Sequence, residues 1–187
     1  MTTNPEMDRL IAQGLEASRA GQAQAALALF AQASEATPGS GLPHFLIGAE
    51  HAAAGNINLA EAAFARAVLL SPDFALARYQ LGLLQFTSQR AAVALLTWQP
   101  LFGLPPGDAM GCFVRGFEAL ARDDFAAALG HFRLGLACDD LNPAMASDIQ
   151  RVVEAVERLP QAPAEGDTVT DTDASHILLS GYARGPH

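Results

Sequence analysis

Few residues of this 187-residue chain have the type and spacing that chemistry requires. His44 and His51 stand seven apart, so one helix would carry both on one face, but two imidazoles without a third ligand do not make a metal centre. They are expected to pack. Cys112 and Cys138 lie far apart and in no C-x-x-C spacing, which supplies neither a disulfide framework nor a zinc ligand set; both read as small apolar residues. Asp123-Asp124 and Asp139-Asp140 fall at expected helix junctions, where a carboxylate caps the next turn or stays solvated, whereas a calcium loop needs more regular oxygen spacing. His131, beside Phe132, reads as a surface residue. No Gly-rich phosphate loop, H-E-x-x-H, G-x-S-x-G or paired-carboxylate constellation occurs. The expectation is a protein that is not an enzyme, with no catalytic residue, no metal and no cofactor.

Composition narrows the classes further. Half of the residues are apolar and only 17% are charged, with alanine, the best helix former, prominent. The net charge is -9, and all 11 positive side chains are arginines, so a continuous basic track for nucleic acid is not expected. The amino terminus Met1-Thr2-Thr3-Asn4-Pro5-Glu6 lacks the basic and apolar regions of a secretory signal, and longer apolar runs are broken by Arg, Gln or Pro. A cytoplasmic protein without membrane insertion is expected. Abundant Ala, Arg and Gly with no lysine suggest a GC-rich bacterial genome.

The elements that must position any site emerge from an internal repeat. Gly14 aligns with Gly48, Ala26 with Ala60, Phe30 with Phe64, Ala33 with Ala67 and Pro38 with Pro72, all at one spacing of thirty-four and without a gap. A third copy keeps Gly82, Ala94, Trp98 and Pro106; a fourth keeps Gly116, Ala128 and Phe132. Repeats therefore span about 7–40, 41–74, 75–108 and 109–142. First helices are predicted near 5–19, 41–54, 75–87 and 109–121, and second helices near 23–36, 57–70, 91–103 and 125–138. Pro100 should kink or shorten the second helix of repeat three. Asn142-Pro143 opens a further helix over 143–158, whose stripe Met145, Ile149, Val152, Val153 and Val156 suits a cap on the last repeat.

With small residues at the eighth position, Ala at the twentieth, an aromatic at the twenty-fourth, Ala at the twenty-seventh and Pro at the thirty-second, the repeat resembles that of the tetratricopeptide-repeat (TPR) family. The resemblance covers about Met7 to Asn142 and implies an all-α, right-handed α-solenoid of four helix pairs, with the domain spanning 5–158. It implies that the glycines let paired helices approach, that Phe30, Phe64, Trp98 and Phe132 fill space between repeats, and that first helices line a concave groove. Groove positions two, five, nine and twelve are then Asp8, Ile11, Leu15 and Ser18; Leu42, Phe45, Ala49 and Ala52; Leu76, Tyr79, Leu83 and Phe86; and Met110, Phe113, Phe117 and Leu120. No Lys, Asn or Arg clamp for a terminal carboxylate is present at these positions. The ladder Phe45, Tyr79 and Phe113 instead predicts a groove that binds an apolar segment of a protein or peptide, although the same stripe could serve as ordinary packing between repeats.

Residues 159–175 read as a flexible linker and 176–187 as an apolar tail carrying Ile177, Leu178, Leu179 and Tyr182. About 17 extended residues reach roughly 55 Å, enough for the tail to dock in a groove of its own chain or of a second copy, giving a homodimer by tail exchange. The expected function is a protein-interaction scaffold or adaptor, self-occluded or dimerised by its tail. The alternative is a chaperone for an apolar client, similar to the TPR chaperones of type III secretion.

Overall fold

The computed structural model describes residues 4–139 and 141–159. Among these, nine α-helices and one 3-10 turn occur, and no strand. They are α1 (Pro5–Arg19), α2 (Ala23–Ala36), α3 (Leu42–Ala53), α4 (Ile57–Leu70), α5 (Ala75–Thr87), α6 (Ala91–Trp98), the 3-10 turn (Gln99–Gly103), α7 (Ala109–Leu120), α8 (Phe125–Leu136) and α9 (Pro143–Glu157). The architecture is all-α, of the helical-solenoid class. The chain divides into two compact units, one ending at Gln85 and the other beginning at Phe86, inside α5.

Four helices, α1, α7, α8 and α9, start where a side chain can satisfy free amides, whereas α2, α3, α4 and α6 open without a side-chain cap. Asn4 Oδ1 accepts from the N–H groups of Glu6 (3.1 Å) and Met7 (3.4 Å), Pro5 occupies the first turn, and Asn4 Nδ2 donates to the Ala36 carbonyl at 2.9 Å. One residue thus caps α1 and ties it to the end of α2. Asp108, Asp124 and Asn142 accept from Gly111, Ala127 and Ala144 and open α7, α8 and α9 in the same way.

The turns between paired helices repeat down to the backbone. Gly21 (φ 71°), Gly55 (φ 73°), Gln89 (φ 63°) and Asp123 (φ 57°) all stand at the fifteenth position of their repeats, and all are left-handed. Glycine meets this geometry freely, aspartate tolerates it, and glutamine is strained by its Cβ. Gln89→Gly is accordingly expected to raise stability by about 0.5–1 kcal/mol, with Asp123→Gly gaining less. Urea denaturation of the two variants checks the order.

Within the pairs, rings lie on glycines. A Cβ on Gly14 would stand 2.4 Å from Phe30, one on Gly48 would stand 2.6 Å from Phe64, and one on Gly116 would stand 2.4 Å from Phe132. These aromatics therefore close the space inside their own repeat, not only the space between repeats as the resemblance implied. Gly135 replaces the alanine of the first two repeats for the same reason: its Cβ would meet Phe113 at 2.3 Å.

Pro100 lacks the N–H to continue α6, which stops at Trp98, and the chain tightens into the 3-10 turn. The turn and the loop after it lean on α7, where Arg115 donates to the carbonyls of Phe102 (2.8 Å) and Leu104 (3.2 Å). Trp98 is fully buried against Phe86 (ring centroids 6.0 Å apart) and Phe117 (5.3 Å), which also contact each other at 5.0 Å, and Phe117 meets Phe132 edge-on at 5.1 Å. Helix α9 packs on α8 through Met145, Ile149, Val152 and Val156, with Val153 only half-buried, and Arg133 pairs with Glu157 at 2.6 Å.

Candidate binding surface

The residues expected to line a groove separate by burial. In the first unit Leu15, Phe45, Ala49 and Leu76 are half-buried and Leu42 is 37% exposed, whereas Ile11, Tyr79 and Leu83 are buried. In the second unit Phe86 and Met110 are half-buried, and Phe113, Phe117 and Leu120 are buried. The expected ladder of Phe45, Tyr79 and Phe113 is therefore not a row of open rings. Phe113 turns its ring onto Gly135 of α8, and Phe117 is taken up by Phe86, Trp98 and Phe132, because α7 is enclosed on nearly every side. Phe45 lies 5.7 Å from Phe64 and 5.0 Å from Phe74 and packs with Ala52 on Ala60, Phe64, Leu81 and Leu84.

Among the first helices, α3 keeps apolar surface. Its sequence Leu42-Pro43-His44-Phe45-Leu46-Ile47-Gly48-Ala49 is apolar almost all round, yet only Pro43 and Gly48 are fully buried in the whole helix. A helix of that composition ordinarily sits inside a core. Leu42, Phe45, Ala49 and Ala52 recur at helical spacing along it, each with surface remaining. Leu15 of α1 and Leu46 of α3 pack on one cluster of Leu10, Ile11 and Ala33. A hydrogen bond from Ser18 Oγ to Glu50 Oε1 joins α1 to α3 at one edge. Glu50 was not among the expected site residues; its place two positions before the last residue named on α3 was the only signal.

Two histidines of α3 lie on this surface or beside it. His44 has its pKa lowered by burial and then by the Arg66 charge, which favours neutral imidazole. His51 Nδ1 is buried without a hydrogen-bond partner. Among the described residues no three His, Cys, Asp or Glu side chains gather as metal ligands. No described helix is long and apolar enough to cross a membrane. Ile177, Leu178, Leu179 and Tyr182, with the linker 159–175, lie outside the described residues apart from Leu159.

The second helices also leave apolar side chains in the open, which the groove-centred reading did not anticipate. Leu59 and Leu69 of α4, Val93 and Leu96 of α6 and Leu134 of α8 are all exposed.

No protein-family model matches the chain, and no curated protein matches it. Solved structures do. MamA from Desulfovibrio magneticus RS-1 (residues 41 to the end) is 15% identical with a TM-score of 0.60, over 84% of this chain and 98% of that one. PilF of Pseudomonas aeruginosa is 17% identical with a TM-score of 0.63, over 98% of this chain and 78% of that one. Likeness at such low identity is likeness of backbone. Joined to the spacing of thirty-four, the ring-on-glycine pairs and the repeated left-handed turns, it shows that this chain has the tetratricopeptide-repeat fold.

Proposed function

We propose that the protein is an interaction scaffold that binds an apolar segment of polypeptide on the first-helix surface of its N-terminal unit, centred on α3. The observation that carries this reading is an apolar helix with only two fully buried residues. Leu42, Phe45 and Ala49, with Leu15 of α1, form the contact stripe, and Leu76 extends its apolar character onto α5. Covering about 400 Å² of such surface contributes on the order of 10 kcal/mol gross, before the cost of ordering the ligand. Met110, Phe113, Phe117 and Leu120 support the fold in this reading and do not touch the ligand.

The chain carries one candidate occupant of its own, the segment 176–187 with Ile177, Leu178, Leu179 and Tyr182. Docked in the same chain it occludes the surface; exchanged between two chains it makes a symmetric homodimer. The test adds a labelled peptide of residues 175–187 to the full chain and to a chain ending at residue 175, and reads anisotropy and sedimentation. The shortened chain is expected to bind the peptide, the full chain to bind it at least about tenfold more weakly, and Leu42→Asp with Ala49→Glu to abolish binding at unchanged melting temperature. Equal binding by the substituted protein removes α3 from the site. Failure of the shortened chain to bind removes the tail as ligand.

A further inference from the structure

Cys112 and Cys138 are separated by most of repeat four, yet the fold carries both thiols to one loop. Helices α7 and α8 run antiparallel, so the first turn of α7 faces the last turn of α8; a Cβ on Gly135 would stand 3.1 Å from the Ala109 carbonyl. Cys112 is in that first turn, and Cys138 follows the C-cap Ala137. The Cys112 Sγ lies 3.4 Å from the Pro106 carbonyl and the Cys138 Sγ 3.2 Å from the Gly107 carbonyl, successive acceptors of the loop entering α7. Cys112 is buried and Cys138 half-buried, and both are free.

We propose that Cys112 and Cys138 form a reversible intrachain disulfide, a redox clasp that ties the first turn of α7 to the end of α8. The division of labour follows from exposure. Cys138 meets an incoming low-molecular-weight disulfide, RSSR: its thiolate attacks one sulfur, forms a mixed disulfide and releases RS⁻. Cys112 then loses its proton, attacks the Cys138 sulfur, and expels the second RS⁻, which takes up a proton. The sum is two protein thiols and RSSR giving one protein disulfide and two RSH. Burial, and next the neighbouring Cys138, raise the pKa of Cys112, which leaves the first attack to the more exposed Cys138; in the second step Cys112 attacks within the same chain, where nearness offsets its smaller thiolate fraction. Such a bridge closes a loop that includes the whole α7–α8 turn, and so stabilises the last repeat by constraining its unfolded state.

Full-length protein incubated with oxidised glutathione tests the clasp by intact mass and maleimide counting of free thiols. The wild type is expected to lose two thiols within one chain and two hydrogen masses, with no lasting glutathione adduct. Cys112→Ser is expected to retain one glutathione at Cys138, and Cys138→Ser to resist modification. The oxidised wild type should melt roughly 5–10 °C above the reduced form, a difference absent from both variants. A wild type that keeps both thiols, stops at the glutathione adduct, or links two chains overturns the proposal. So does an oxidised form that melts below the reduced one.

Discussion

Trp98→Ala is expected to cost about 3–5 kcal/mol of stability, the loss typical of a large aromatic removed from a closed core. The indole has 0% of its surface exposed and stacks against both Phe86 and Phe117, at interplanar angles of 27° and 28°, in a cluster where those two rings also touch. Its removal leaves Phe117 without one of its three ring partners and opens a cavity that the short α6, stopped by Pro100, is poorly placed to refill. Because the chain forms two compact units, urea unfolding followed by helical circular dichroism should show the second unit melting earlier, with the first little changed. Leu96→Ala, two residues earlier on the same helix but 76% exposed, should stay within about 0.5 kcal/mol. A loss below about 1 kcal/mol for Trp98→Ala contradicts the central place given to this stack.

The second large effect is a difference of sign between two glycine-to-alanine changes in helices. Alanine is worth about 1 kcal/mol over glycine inside a helix when space permits. At Gly130 of α8 nothing lies within 4 Å of the added Cβ, so Gly130→Ala should stabilise by roughly 0.5–1 kcal/mol. At Gly48 the Cβ meets Phe64 at 2.6 and 2.7 Å, and this ring is buried and held by Phe45. The ring cannot swing aside, so α3 and α4 must part. Gly48→Ala should therefore destabilise by about 1–3 kcal/mol, overpacking outweighing propensity. Equal effects at the two sites would mean that the paired helices tolerate separation, and the ring-on-glycine account of the repeat would fail.

The two predictions also show how much was legible beforehand. Gly48 and Phe64 stood out by their recurrence at thirty-four, with close helix approach expected at the glycine and filling between repeats at the ring, but that the ring lies on the glycine came from the packed helices. Asp124 and Asn142, expected as caps, stand one residue before their helices, as do Asn4 and Asp108, which were not singled out, and all four caps depend on neighbours two or three positions away. Such features are local or periodic. Phe113 shows the limit: its register placed it in a groove, while the glycine opposite, Gly135, received the ring. The exchange of alanine for glycine at that position was visible in the chain, but only the packed helices showed what it accommodates. The open face of α3 is similar, because composition says that a helix is apolar and not which of its sides neighbours cover.

By itself, the order of residues determined the repeat length, the helix pairs, their turns and the absence of a lysine-based clamp, since each depends on intervals of a few residues or on composition. The tertiary structure alone decided which aromatics are spent as core, which stripe of α3 stays uncovered, and that Cys112 and Cys138 reach adjacent carbonyls of one loop. Those outcomes depend on how helices far apart in the chain are apposed, and a distance through space is not encoded in a spacing along it.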